Sequence, residues 1–246
     1  MVDREELKNY CNTYLDIGKF KDYCPNGLQI EGSLNITKIV SGVSANLELI
    51  ERAIEEKADA IFVHHGVFWD NESKTITGAK RTKIALLLKH NINLFGFHLP
   101  LDDHCEVGNN VELGRRLGVK NMESVQGGLL WQGELSTNLS DFSKLIEEKL
   151  DRVPQIFGKQ NGEIKKIAWC TGGAQGFIED AISLNVDLYL SGEVSEQTPA
   201  VAKENNITFI SAGHHATERY GVQALCNHLC SQFKLQHQYI EVDNSV

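Results

Sequence analysis

Leu7, Tyr10, Cys11, Tyr14 and Leu15 recur with the i, i+3, i+4 spacing of a single helical face. Asp3 stands at the N-cap position and Glu6 at the third position of a capping box, so the chain opens on a helix whose apolar stripe faces a core. A punctuated loop through Pro25-Asn26-Gly27 follows, and beyond it short apolar runs alternate with amphipathic stretches. That alternation predicts an α/β fold.

The pattern occurs twice. In the first half the pattern predicts a strand at Lys38-Ile39-Val40, a helix over 47–57, a strand from Asp59 to Val63, a helix over 78–90 and a strand from Asn91 to Phe95. In the second it predicts a strand at Lys166-Ile167-Ala168, a helix over 175–185, a strand from Asp187 to Leu190, a helix over 195–205 and a strand from Asn206 to Ile210. The first two strands of each set are 128 positions apart and the third 115, the difference being absorbed by an extra loop from Gly66 to Thr77 that carries Phe68 and Trp69. Two βαβαβ repeats are therefore expected, the first over 1–125 and the second over 126–246, with Gly127-Gly128 punctuating the boundary and a site between them.

Composition narrows the class. With 246 residues, 41% of them apolar, the chain can bury a sizeable core. Its start, Met1-Val-Asp-Arg-Glu-Glu, is acidic where a secretory leader is basic, and no apolar run approaches the roughly 18 residues of a membrane span. A cytoplasmic location is expected. A net charge of −9 argues against a broad nucleic-acid surface, although a local positive site is compatible with it. The six cysteines contain no C-x-x-C pair, and Cys226 and Cys230, four apart on an expected helix, read as reduced, small apolar residues.

Ligands in parallel α/β sheets bind beyond the carboxyl ends of strands. Three such ends are rich in donors: Phe62-Val63 runs into His64-His65-Gly66, Phe95-Gly96-Phe97 into His98-Leu99-Pro100-Leu101-Asp102, and Phe209-Ile210 into Gly213-His214-His215-Ala216-Thr217-Glu218. Adjacent histidines on extended backbone point in different directions, so His64 and His65 suit two neighbouring ions rather than one. His214 and Glu218, four apart where a helix begins, share a face, and a carboxylate there can bridge two ions. His215 is three from Glu218 and shares that face too; His214 is the preferred ligand. Asp102 adds an oxygen donor. The expected ligands are thus His64, His65, Asp102, His214 and Glu218, a nitrogen and oxygen set suited to two ions of Zn, Mn, Fe, Co or Ni. His98 and His215 are candidate proton carriers. His104 is read as a loop residue, and His90, His228 and His237 as solvated or core histidines. There is no phosphate-binding Gly-rich loop, no H-E-x-x-H and no G-x-S-x-G.

Phe62 to Gly66, His98 to Asp102, Gly108-Asn109-Asn110, Ser191-Gly192-Glu193-Val194-Ser195-Glu196-Gln197 and Gly213 to Arg219, together with Asn26-Gly27-Leu28-Gln29, resemble the YbgI or Nif-three-like family. Members of that family are often labelled GTP cyclohydrolase 1 type 2 homologues. The resemblance implies two intertwined α/β repeats, three-layered with mixed, mostly parallel sheets, a dinuclear metal centre, and assembly of copies into a homohexameric ring. Carried over by position, the family's ligands fall on the same five residues. Asp103 and Cys105 stand where Ala and Pro are common.

Two divalent ions against two carboxylates leave a positive centre, which attracts an anionic small molecule even in an acidic protein. Ions about 3.5–4 Å apart can activate water and hold both oxygens of a displacement at phosphorus. The expected activity is therefore metal-dependent hydrolysis of a nucleotide or another phosphorylated small molecule, or ring opening of GTP as the family label suggests. The alternatives are a non-catalytic metal-binding or metal-delivery protein and a protein-interaction scaffold.

Overall fold

The computed structural model describes residues 1–246. It divides into two compact units, Met1–Gly108 with Gly221–Asp243, and Asn109–Tyr220 with Asn244–Val246. This differs from the expected division at 125/126. Gly127-Gly128 lies in a hairpin connection: Lys120–Ser124 pairs antiparallel with Trp131–Asn138 on its far side, so the two glycines punctuate a turn inside one sheet. The last strand, Gln236–Tyr239, in turn pairs parallel with Lys38–Ser44 and so belongs to the first unit.

In the first unit a five-stranded sheet runs in the order Gln236–Tyr239, Lys38–Ser44, Ala60–His65, Asn93–Gly96, Gly27–Ile30. All neighbours are parallel except the last pair. Alternation along the strands buries both faces. Ile39, Phe62 and Phe95 pack with Leu7, Cys11, Val222 and Leu225 from the helices Arg4–Tyr14 and Arg219–Phe233. Val40, Ile61, Val63 and Leu94 pack on the opposite face with Leu49, Ile50, Ala53, Ile84 and Leu87 from Leu47–Glu55 and Gly78–Lys89. Helix, sheet and helix therefore form three layers. Each fully buried side chain of this kind contributes about 1.5–3 kcal/mol.

The second unit repeats the plan. Its parallel centre is Glu163–Cys170, Leu188–Ser191 and Thr208–Ser211, flanked by antiparallel strands. Ile167, Trp169, Leu190 and Ile210 face one core with Leu113, Phe142 and Ile146, while Ala168, Tyr189 and Phe209 face the other with Ile178, Ala181 and Ala202.

The helices start and stop where local chemistry directs. Asp3 caps the first through the amides of Glu5 and Glu6, and Asn46 caps Leu47–Glu55 through Leu49. The helix expected over 195–205 begins only at Thr198, because the Thr198 hydroxyl caps a turn at Ser195 and Pro199 occupies the first helical turn. That over 175–185 resolves into a 3-10 turn, Gln175–Phe177, followed by Ile178–Ser183. No helix is long and apolar enough to cross a membrane.

Candidate metal-binding residues

In the first unit the strand Ala60–His65 ends on two histidines. The Nδ1 of His64 lies 2.9 Å from the carbonyl oxygen of Phe97, and a carbonyl only accepts, so Nδ1 carries the proton and Nε2 the lone pair. Nε2 is 3.5 Å from Oδ1 of Asp102, beyond ordinary hydrogen-bond length. Two ligands about 2.05 Å from a tetrahedral ion stand about 3.3 Å apart, so this spacing fits a pair of donors to one ion. Asp102 is placed by the short helix Leu99–Asp103, where it is buried. His65 is fixed separately, its Nδ1 3.0 Å from the Ser44 hydroxyl on the neighbouring strand.

The two rings do not diverge as strand alternation predicts. Their centroids are 4.6 Å apart and tilted by 49°. His65 is the last residue of its strand, and the Ser44 hydroxyl fixes which way its ring turns. His98 joins them, and ligand atoms of His64, His65 and His98 lie within 4.8 Å of one another.

His98 is held by a residue that sequence reasoning passed over. Oδ1 of Asp22 accepts from His98 Nδ1 at 2.9 Å, and Oδ2 accepts from the Leu99 amide at 3.0 Å and from Asn26 Nδ2 at 2.9 Å. Burial alone would raise the Asp22 carboxyl, but the hydrogen bonds from His98 and Asn26 outweigh it and hold it at about 2. Asp22 is thus an acceptor, and His98 keeps its proton on Nδ1. Gln29 has a comparable supporting role. Its amide takes the Val67 N–H at 2.9 Å, and a Cβ at Gly66 or Gly96 would overlap it.

In the second unit Glu163–Cys170, Leu188–Ser191 and Thr208–Ser211 end on Gly172, Glu193 and the helix His214–Thr217. His214 stands between two carboxylates: Nδ1 is 2.6 Å from Glu193 Oε1 and Nε2 is 3.1 Å from Glu218 Oε2. Burial pushes its pKa down, yet the hydrogen bonds and charges of Glu218 and Glu193 outweigh this and raise it to about 9. The Nε2 to Glu218 spacing suits a shared proton or two donors to one cation. Space for Glu218 exists because residue 172 is glycine. A Cβ there would come within 2.1 Å of Glu218 Oε1, and its φ of +69° is one that side-chain-bearing residues disfavour. His215 is buried, with its amide bonded to the Val246 carbonyl at 3.0 Å.

His104, His228 and His237 pack into the surrounding structure, whereas His90 is exposed at the end of the helix Gly78–Lys89. Nε2 of His104 lies 3.0 Å from the Tyr14 carbonyl while Nδ1 accepts the amides of Glu106 and Val107. His228 stacks on Tyr14 at 4.2 Å, and His237 bonds Ser41 at 2.8 Å.

The model of the Duf34/NIF3 (NGG1p interacting factor 3) family matches residues 2–245. The chain belongs to the Duf34/NIF3 family. Among its NIF3 relatives is a protein of Allochromatium vinosum named GTP cyclohydrolase 1 type 2 homolog, 49% identical over 99% of this chain and 98% of the relative. One of Escherichia coli with the same name is 43% identical over 97% and 98%. A solved structure of protein ybgI, described as of unknown function, superposes with a TM-score of 0.95 at 41% identity, covering all of both chains. That of TTHA1606 from Thermus thermophilus gives 0.91 at 30%, again covering both. Within this NIF3 chain, clustered His, Asp and Glu side chains can hold a metal ion. The family motifs also contain the residues that sequence reasoning left without a role, since Asn26 and Gln29 lie in one and Glu193 in another.

Proposed function

We propose that His64, His65, Asp102, His214 and Glu218 bind two divalent ions in one centre, and that the chain hydrolyses a nucleotide or another phosphorylated small molecule. The spacing of His64 Nε2 and Asp102 Oδ1, 3.5 Å with the imidazole tautomer fixed by Phe97, carries this reading. Within the second unit, His214 and Glu218 supply a matching nitrogen and oxygen pair at 3.1 Å. The family resemblance supports one centre served by both pairs. The donor set lacks thiolates and suits Zn, Mn, Fe, Co or Ni.

When bound, such ions supply Lewis acidity and bring the pKa of water towards about 7. The chain's own residues do the remaining work. Phe97 and Ser44 orient the imidazoles of His64 and His65, and Glu193 orients that of His214. His98, its proton kept on Nδ1 by Asp22, presents Nε2 as a base and is the first candidate proton carrier; the buried His215 is the second. By resemblance, copies assemble into a hexameric ring, and light scattering that reports a monomer at micromolar concentration would reject that assembly.

The test is a panel of nucleotides and phosphoesters, offered to protein loaded with each metal in turn. Metal-dependent turnover is expected, and it should disappear in His64→Ala and Asp102→Ala proteins that remain folded. If no substrate turns over, or those variants keep the wild-type rate, the hydrolase reading fails and metal binding or delivery stands in its place. Metal analysis of Glu218→Ala should show loss from both positions; full retention would sink the shared centre.

A further inference from the structure

A cavity of about 560 Å³ is walled by Asp22, Cys24, Phe68, Trp69, Lys74 and Lys80, together with Asp70. Its volume falls within the roughly 300–1,000 Å³ of small-molecule sites. Two of its walls touch the histidine cluster. Asp22 bonds His98, and the Trp69 ring meets that of His98 edge-on at 5.3 Å and lies 5.8 Å from His65.

The loop that supplies these walls is tied in place at its start. Gln29 takes the amide of Val67, the Tyr23 carbonyl takes that of Asp70, and the Tyr23 ring lies 5.9 Å from Trp69. An aromatic wall held from three sides is prepared for a planar ring. The ammonium of Lys80 is steered over Phe68, 5.5 Å from the ring centre, by Glu72 and the Ser73 carbonyl, each at 3.2 Å. Lys74 adds a second cation to the lining. Asp22 is ionised, but both its oxygens already serve His98, Leu99 and Asn26, so neither is committed to Lys74 or Lys80. Asp70 remains as a carboxylate that can accept ring N–H groups.

We infer that this cavity is the subsite for a heteroaromatic ring carrying a phosphate, with the ring against Trp69 and Phe68 and the phosphate at Lys74 and Lys80. The inference rests on the reading of the chain as acting on a phosphorylated small molecule, and it adds that the molecule is aromatic and where it is held.

Equilibrium dialysis of the full chain with GMP, guanosine and ribose 5-phosphate tests this, in chelator-treated and in metal-loaded protein. GMP should bind chelator-treated protein about tenfold more tightly than either fragment, since stacking and phosphate contacts both count. Trp69→Leu and the double variant Lys74→Ala/Lys80→Ala should each weaken GMP by about tenfold, while Trp69→Phe stays within about threefold. GMP should quench tryptophan fluorescence in the wild type and not in Trp69→Leu, because Trp131 and Trp169 are buried at 5% and 1% exposure. Equal binding of GMP and ribose 5-phosphate, or undiminished binding in folded Trp69→Leu, overturns the subsite and leaves the hydrolase reading untouched. GMP binding that depends on Trp69 and the lysines, without turnover of any substrate, supports the subsite and removes the hydrolase.

Discussion

Asp22 and His98 lie 76 residues apart in sequence and are joined by a 2.9 Å hydrogen bond between Oδ1 and Nδ1. Both side chains are shielded, at 3% and 8% exposure respectively. The other oxygen of Asp22 holds the first amide of the helix that carries Asp102, so one carboxylate positions two parts of the candidate site. Asp22→Ala removes the acceptor of three donors, His98 Nδ1, the Leu99 amide and Asn26 Nδ2, at about 1–3 kcal/mol for each that is left buried and unsatisfied. A loss of about 2–3 kcal/mol is expected in urea unfolding, together with reduced metal content; Asp22→Asn, which retains an acceptor, should lose about 1 kcal/mol. A wild-type urea midpoint in Asp22→Ala would contradict the positioning role.

Gly172 gives a different test, because it touches Glu218 without being a ligand. Its alanine substitution places a methyl group 2.1 Å from Glu218 Oε1 and strains a backbone at φ +69°. The strain costs about 1 kcal/mol, and the displaced carboxylate costs metal. Gly172→Ala should therefore remain folded with a modestly lower urea midpoint while atomic emission shows fewer ions per chain. Wild-type metal stoichiometry in that variant would separate Glu218 from metal binding.

Burial pushes the His237 imidazole down to about 4. Its neutral ring is engaged on both sides, by Asn227 Oδ1 at 3.0 Å and by the Ser41 hydroxyl at 2.8 Å. The unfolded chain takes up this proton near pH 6.5 and the folded chain only near 4. Between those values the unfolded state binds more protons, so this group's contribution is complete above pH 6.5 and is lost as pH falls towards 4. Urea midpoints measured from pH 7 to 4.5 should fall less steeply in His237→Gln than in the wild type. Parallel slopes would exclude this histidine as a source of acid sensitivity.

Much of the fold was legible because both sheets are covered on both faces, which leaves apolar strand runs bounded by amphipathic helices. The five expected ligands could be chosen for a similar reason, since donors that directly follow a strand are visible as a local pattern. What was missed acts over distance or through shape. Asp22 and Glu193 reach their histidines from remote segments, and Gly172 matters for the side chain it lacks. The glycine pair at 127–128 resembles a boundary in sequence because a hairpin turn and a linker share the same residues; only strand pairing tells them apart.

The internal repeat leads to a prediction that compares the two halves directly. Asp59 Oδ2 accepts the amides of Thr37 and Lys38 at 2.7 and 3.0 Å, and Asp187 Oδ2 accepts those of Lys165 and Lys166 at 2.8 and 3.0 Å. The backbones match as well. The amide of each aspartate bonds the carbonyl of Lys38 or Lys166, and its carbonyl takes the amide of Asn93 or Thr208. Each aspartate therefore pins the start of its unit's central strand to the neighbouring strand by the same means, as expected of a duplicated βαβαβ element. Each is half-buried, so loss of the carboxylate exposes two amides partly open to water and should cost about 1–2 kcal/mol rather than the full penalty of a buried orphan. Asp59→Ala and Asp187→Ala should each lower stability by a similar amount in urea. Native-state hydrogen exchange should place the lost protection at Thr37 and Lys38 in the first variant and at Lys165 and Lys166 in the second. A large effect from one substitution and none from the other would show that the two halves no longer depend on the same contact.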